Sequence, residues 1–232
     1  MSQKLTILFD LDGTLIDTAP DLMSAHNHVM KKFGYVERKL KDIKKLAGRG
    51  SKVMIKKSIQ EVAENTGKIK KLNENESEEM TKEFINYYSK NICNESKPRI
   101  GVVDFLIWCK KNFISMAVCT NKQEHLSIDL LKKIRLYEFF EYIAGGNTFD
   151  YNKPDPRHLT NVIEIIGGDI KKSIMIGDSE TDSVAAKNAN IPFILIKNGY
   201  TEKRTDEIHY NHLINNFTDL DKIIKKYIND WI

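Results

Sequence analysis

Residues 5–15 read Leu5-Thr6-Ile7-Leu8-Phe9-Asp10-Leu11-Asp12-Gly13-Thr14-Leu15. The first five residues, apolar except for Thr6, run directly into two acids one residue apart and then a glycine. Such a run has the composition of a strand buried on both faces of a parallel sheet. Two carboxylates at its end lie where open α/β sheets hold their ligands, outside the carboxyl ends of the strands. Asp and Gly are also ordinary turn residues, so an acidic turn is the competing reading. Four fixed positions at ~5% each would arise by chance in a chain of this length about once in a thousand.

Working outward, further short apolar runs read as parallel strands: Ile114–Cys119, Ser173–Ile176, Phe193–Ile196 and a weaker Tyr142–Ala144. Apolar residues three and four apart predict helices over Val102–Lys111, Glu124–Ile134, Arg157–Ile166 and Thr181–Asn190. Strands alternating with helices predict a doubly wound, mostly parallel, Rossmann-like α/β sheet. One segment breaks that rhythm. Between Ala19 and Lys97 no strand pattern appears, and helices are expected over Leu22–Phe33, Leu40–Leu46, Lys52–Val62 and Glu78–Ile92, with a polar link at Asn65–Ser77. A parallel crossover needs only about a dozen residues. The excess predicts an all-helical domain inserted into the sheet domain, with residues 1–18 and 98–232 as the α/β core and 19–97 as the insert.

Composition narrows the class. The 232 residues are 41% hydrophobic and 29% charged, with 36 Lys+Arg against 32 Asp+Glu, as in a folded globular protein. No apolar run approaches the roughly 20 residues that span a bilayer, and no signal-peptide core precedes Asp10, so no membrane association is expected. Cys93, Cys109 and Cys119 are odd in number and lack metal-ligand spacing, which points to a reduced, cytoplasmic protein without zinc. The histidines also lack ligand spacing: His26 and His28 are two apart on a helix and face different sides. A net charge of +4 does not imply a nucleic acid partner, and Lys39, Lys41, Lys44 and Lys45 have few aromatics beside them on which bases could stack. The charge is uneven, +6 over residues 19–97 and −2 elsewhere. The insert could therefore steer anions toward the acidic core. The sequence leaves the oligomeric state open.

Three later segments complete the opening motif: Thr120-Asn121-Lys122 after the second long strand, Lys153-Pro154 before a helix, and Gly177-Asp178-Ser179-Glu180-Thr181-Asp182 after a later strand. In this order the four segments resemble the haloacid dehalogenase superfamily of phosphotransferases, which places a helical cap between its first and second motifs. The resemblance implies that Asp10 is a nucleophile forming an aspartyl-phosphate, and that Asp12 protonates the leaving alcohol and then activates water. It further implies Mg²⁺ held by the Asp10 side chain, the Asp12 carbonyl and Asp178, with Thr120, the Asn121 N–H and Lys153 on the phosphoryl oxygens. Repulsion between two nearby carboxylates suits Asp12 to carry a proton. Gly13 permits the tight turn, and Thr14 is expected to hydrogen-bond within it. Asp182, one helical turn beyond Asp178, is expected to orient Lys153 or metal-bound water.

The opening motif continued through Asp17-Thr18, the size of the insert and Asn152-Lys153-Pro154-Asp155-Pro156 resemble the phosphoglycolate phosphatase branch. That branch implies a small anionic phosphate ester as substrate. Gly48-Arg49-Gly50 is the one local feature of the insert that could read it, with Arg49 pairing a substrate carboxylate. A helix C-cap followed by a surface arginine explains the same residues equally well. Pyrophosphate, sugar phosphates and nucleoside monophosphates remain open as substrates, as does a non-catalytic phospho-acceptor on the same fold.

Overall fold

The structure, a computed structural model, describes residues 5–48, 50–66 and 72–230, and the side chains of all of these except 43–45 and 62–66. In chain order the strands are β1 (Thr6–Phe9), β2 (Ile16–Asp17), β3 (Lys97–Pro98), β4 (Ser115–Cys119), β5 (Tyr142–Ala144), β6 (Ser173–Gly177), β7 (Phe193–Ile196) and β8 (His212–Ile214). The helices are α1 (Ala19–Lys32), α2 (Leu40–Leu46), α3 (Ser51–Thr66), α4 (Glu74–Lys90), α5 (Val102–Lys111), α6 (Glu124–Lys133), α7 (Arg157–Ile165), α8 (Glu180–Asn188) and α9 (Leu220–Asp230).

Successive side chains of a strand point to opposite faces, and in β1 both faces are apolar. Ile7 and Phe9 pack with Phe105 and Leu106 of α5 and with Leu220 and Ile224 of α9. Leu8 packs on the opposite side with Leu159 and Val162 of α7 and Ala185 and Ala186 of α8. Each fully buried side chain of this size stabilises the fold by about 1.5–3 kcal/mol, so a strand this apolar is stable only with helices on both faces. The main sheet has six strands in the order β5-β4-β1-β6-β7-β8, with every neighbouring pair parallel. Numbered by appearance, that is the doubly wound order 3-2-1-4-5-6, which reverses direction at its first strand.

Register positions the site. Phe9 lies beside Val118 of β4 on one side and Ile176 of β6 on the other. The residues that follow these three strands, Asp10, Thr120 and Asp178, therefore emerge along one edge of the sheet.

β2 and β3 pair antiparallel, Ile16 with Pro98 and Asp17 with Lys97. The chain thus leaves for α1–α4 and returns from them through one narrow two-stranded stalk. The four helices bury apolar side chains at helical spacing, Leu22, Ala25, Val29 and Met30 on α1 against Met80, Phe84 and Tyr88 on α4, with Met54, Ile55 and Ile59 from α3.

Several elements differ from the sequence expectation. α4 begins four residues earlier than its apolar spacing indicates, because Asn73 caps it by accepting from the Glu76 N–H at 2.8 Å and Glu74 and Glu76 favour the positive end of the helix. The polar link is correspondingly shorter, and its residues 67–71 lie outside the described residues. β8 and α9 were not anticipated; β8 is a three-residue edge strand of half-buried residues, too short to show alternation. Several lysines of the insert are held in local pairs: Lys32 with Glu83, Lys52 and Lys56 with Glu74, and Lys57 with Glu202 of the core. Of these lysines only Lys52 lines the cleft described next. No helix among the described residues is long and apolar enough to cross a membrane.

Candidate active site

A cleft of about 330 Å³ opens at the carboxyl ends of β1 and β4 and beneath the helical insert. Asp10, Asp12, Thr120, Asn121 and Lys122 line it from below, and Phe84 and Tyr88 of α4 line it from above. At its base the carboxylate oxygens of Asp10, Asp178 and Asp182 come within 4.8 Å of one another, all three residues buried. A single ammonium lies among them: Lys153 Nζ donates to Asp10 Oδ1 and to Asp182 Oδ1, each at 2.6 Å. Burial, together with the charges of Asp182 and Asp178, pushes the Asp10 carboxyl well above its usual range despite Lys153. Burial and Asp182 likewise push Asp178 up to about 7. Burial alone would pull Lys153 down, but the charges of Asp10 and Asp182 and their hydrogen bonds outweigh it and the net direction is upward.

The supporting contacts come from far apart in the chain. Thr14 Oγ1 donates to Asp178 Oδ1 at 2.9 Å. This corrects the expectation that Thr14 bonds within its own turn, since the acceptor its hydroxyl meets is a carboxylate 164 residues away. The Tyr200 N–H donates to the other Asp178 oxygen, and the Tyr200 hydroxyl donates to Asp17 Oδ1 at 2.6 Å while accepting from the Ala19 N–H at 2.7 Å. Tyr200 thereby ties Asp178 to the stalk from which α1 departs. Asp182 Oδ2 caps α8, accepting from the Asp178 and Ser179 N–H groups at 3.2 and 3.0 Å, while its other oxygen holds Lys153. Gly13 has φ +85, and a Cβ there would fall on the Asp178 carboxylate and lie 2.9 Å from Tyr200 Cγ. Both the turn and the space require glycine.

Asp12 faces elsewhere. The acids crowding Asp10 are Asp178 and Asp182, whereas Asp12 accepts from Thr18 Oγ1 at 2.8 Å and from Lys122 Nζ at 3.1 Å on each oxygen. This corrects the expectation that repulsion from a neighbouring carboxylate places a proton on Asp12, since the charge facing it is the Lys122 ammonium. Lys122 also donates to the Tyr88 hydroxyl at 2.8 Å, and its ammonium lies 4.3 Å from the centre of that ring. Thr120 is buried, with Oγ1 accepting from the Lys122 N–H at 3.2 Å. Asn121 Nδ2 donates to the Lys153 carbonyl at 2.9 Å and to the Gly48 carbonyl at 3.3 Å.

The structure thus brings together Asp10, Gly13, Thr14, Lys153, Asp178 and Asp182, and places Asp12, Thr120 and Asn121 around the same cleft. Arg49 lies outside the described residues. Sequence reasoning missed Lys122 as a partner of Asp12, and missed Tyr88 and Tyr200 altogether. Lys122 carried a signal, since it directly follows Thr120-Asn121; the two tyrosines carried none, because each acts through a contact far away in sequence.

His158, at the start of α7, is fully buried, its Nε2 3.2 Å from the Gly145 carbonyl. Burial and the Lys153 charge push it down to about 4 from the usual 6.5. The unfolded chain therefore holds more protons between these values. The stability His158 contributes is complete above about pH 6.5 and is lost as pH falls through about 4, a span worth roughly 3 kcal/mol. The variant His158→Gln is expected to show a shallower fall in Tm between pH 7 and pH 4 than the parent; an unchanged slope would contradict the assignment.

Residues 7–196 match the haloacid dehalogenase-like hydrolase family. The chain is 39% identical over 213 residues to a phosphoglycolate phosphatase of Agrobacterium fabrum, covering 92% of this chain and 89% of that one. It is 37% identical to a phosphoglycolate phosphatase of Mesorhizobium japonicum, covering 92% of each. Among solved structures, that of a predicted phosphoglycolate phosphatase from Haemophilus somnus superposes with a TM-score of 0.88 at 26% identity, covering 96% of this chain and 99% of that one. The six-stranded parallel sheet with flanking helices and its inserted helices agree with these similarities, and the chain belongs to the haloacid dehalogenase-like hydrolase family, on its phosphoglycolate phosphatase-like side.

Proposed function

We propose that this phosphoric monoester hydrolase converts 2-phosphoglycolate to glycolate and inorganic phosphate through an aspartyl-phosphate on Asp10, with Mg²⁺ as cofactor. The observation that carries the reading is the position of Asp10, buried at the base of the cleft with Lys153 2.6 Å from one oxygen and two further carboxylates beside it. The relatives named phosphoglycolate phosphatase supply the substrate.

A hard divalent cation fits these residues. Three buried carboxylates face one ammonium, leaving negative charge uncompensated, and oxygen donors are what Mg²⁺ takes. Asp10, Asp178 and the Asp12 carbonyl would hold it, and when bound it would neutralise charge on the phosphoryl oxygens. In the first half-reaction an Asp10 oxygen attacks phosphorus, the bond from phosphorus to the glycolate oxygen breaks, and Asp12 gives that oxygen the proton it took from water in the preceding turnover. In the second, water attacks phosphorus and passes its proton to Asp12, and the Asp10–phosphorus bond breaks. This releases phosphate and restores both aspartates. Thr120, the Asn121 N–H and Lys153 steady the phosphoryl oxygens throughout.

Residues 19–97 act as the cap in this reading, and residues 1–18 and 98–232 as the catalytic core. Its position over the cleft supports a role in keeping water from the phosphoryl group. A cytoplasmic setting belongs to the same reading, supported by Cys93, Cys109 and Cys119 all being free thiols.

The test is a panel of kcat/KM values for 2-phosphoglycolate, pyrophosphate, sugar phosphates and nucleoside monophosphates. 2-Phosphoglycolate is expected to lead by about tenfold or more, with all activity lost in EDTA and restored by Mg²⁺. A different leading substrate would overturn the substrate assignment. Absence of turnover with every divalent metal would leave only a phospho-acceptor role for Asp10.

A further inference from the structure

The most unusual contact in the cleft joins the insert to the core through a lysine. Lys122 is 8% exposed, and its ammonium has four near neighbours: both oxygens of Asp12, the Tyr88 hydroxyl and the Tyr88 ring face. Asp12 is further fixed by Thr18. The two donations from one ammonium hold the position of the carboxylate, and the donation from Thr18 to Oδ1 sets its rotation. Tyr88 is fully buried on α4, so the other side of the ammonium is set by the insert.

We propose that Lys122, clamped between Tyr88 of the insert and both oxygens of Asp12, is the positioning residue that aims Asp12 at the leaving-group oxygen. Its aim is correct only while α4 sits over the core. The assignment rests on the reading of Asp12 as the proton carrier. Lys122 itself forms and breaks no bond: the proton moves from Asp12 to the departing alcohol oxygen as that oxygen leaves phosphorus. The contact makes proton delivery conditional on a covered cleft, and so links chemistry to the exclusion of water.

Leaving groups separate this role from a merely structural one. An alkoxide must be protonated as it departs, whereas p-nitrophenolate leaves as a stable anion. In Lys122→Met, kcat/KM for 2-phosphoglycolate is expected to fall by about 10²-fold and the ratio of its kcat/KM to that for p-nitrophenyl phosphate by at least about tenfold, with both KM values within about threefold of the parent. The ratio is taken in kcat/KM because that constant ends with departure of the alcohol, before the water step in which Asp12 serves both substrates alike. The conservative Lys122→Arg should recover part of the ratio. Tyr88→Phe, which removes only the hydroxyl, should lower it by about threefold.

Equal losses on both substrates would overturn the proposal. So would a raised KM with kcat kept, the signature of a lysine that binds the substrate anion. Should Lys122→Met show no cooperative unfolding, Tyr88→Phe decides, and an unchanged ratio there counts against the proposal. Asp12→Asn keeps the two readings apart. If it leaves the ratio unchanged, the proton-carrier reading fails and takes the Lys122 assignment with it; if it lowers the ratio while Lys122→Met does not, only the assignment fails. Should 2-phosphoglycolate prove a poor substrate, the alkyl monoester that the parent enzyme turns over fastest takes its place in the ratio.

Discussion

Asp10→Asn is expected to abolish turnover of 2-phosphoglycolate, by roughly 10⁴-fold or more in kcat, with Tm unchanged or raised. The two results belong together. The amide cannot form the acyl phosphate, so the route through Asp10 is closed whatever else is in place. The amide oxygen can still accept from Lys153, now at 2.6 Å from the carboxylate, so the local hydrogen bond has a substitute. A buried charge is also removed from a place where burial and two neighbouring carboxylates disfavour it. Thermal unfolding beside single-turnover kinetics checks both. A variant that kept a tenth of parental activity would exclude Asp10 as nucleophile, and one that failed to fold would exclude this account of its surroundings.

The second large effect is expected at Lys153. Its side chain is 1% exposed and is the cation shared by Asp10 and Asp182. Lys153→Met preserves the apolar stem and removes the charge. Breaking a buried ion pair by deleting one partner costs about 3–5 kcal/mol, because the remaining charge has neither water nor counter-ion. For a chain of this size that amounts to a fall in Tm of roughly 6–20 °C. Activity should fall by about 10³-fold, the upper end for losing one preorganised electrostatic contact to the transition state. Coupling gives the sharper check. In the double variant Asp10→Asn with Lys153→Met, one stranded carboxylate has been neutralised, so part of the lost stability should return. Strict additivity of the two Tm changes would mean that Lys153 does not pair with Asp10.

The features legible in the sequence are those set by neighbours along the chain. Thr6–Phe9, Ser115–Cys119, Ser173–Gly177 and Phe193–Ile196 were readable because strands buried on both faces are apolar on both sides after at most one polar first residue. α5 appeared with its bounds intact because its apolar spacing ends where Asn112 and Phe113 turn the chain. Asp10, Lys153, Asp178 and Asp182 were found because each occupies a short segment with its own pattern. Helix ends fixed by a cap, such as Asn73 at α4, were read late, since apolar spacing says nothing about the first turn. The helical spacing of Leu220, Ile224, Tyr227 and Ile228 is present in α9 but follows a polar stretch with no strand signal before it.

By itself, then, the sequence determined the parallel α/β core, the helices inserted after its first strand, and the acids and lysine that meet at the base of the cleft. These follow from periodicity and from short motifs, which need no knowledge of distant residues. Only the tertiary structure decided which carboxylate faces which cation. It set Lys153 between Asp10 and Asp182, turned Asp12 toward Lys122 and Tyr88, and sent Thr14 and Tyr200 across the fold to Asp178. The reason is physical: buried polar groups must find partners wherever the packing of strands and helices leaves them, and that packing brings together residues up to 183 positions apart in the chain.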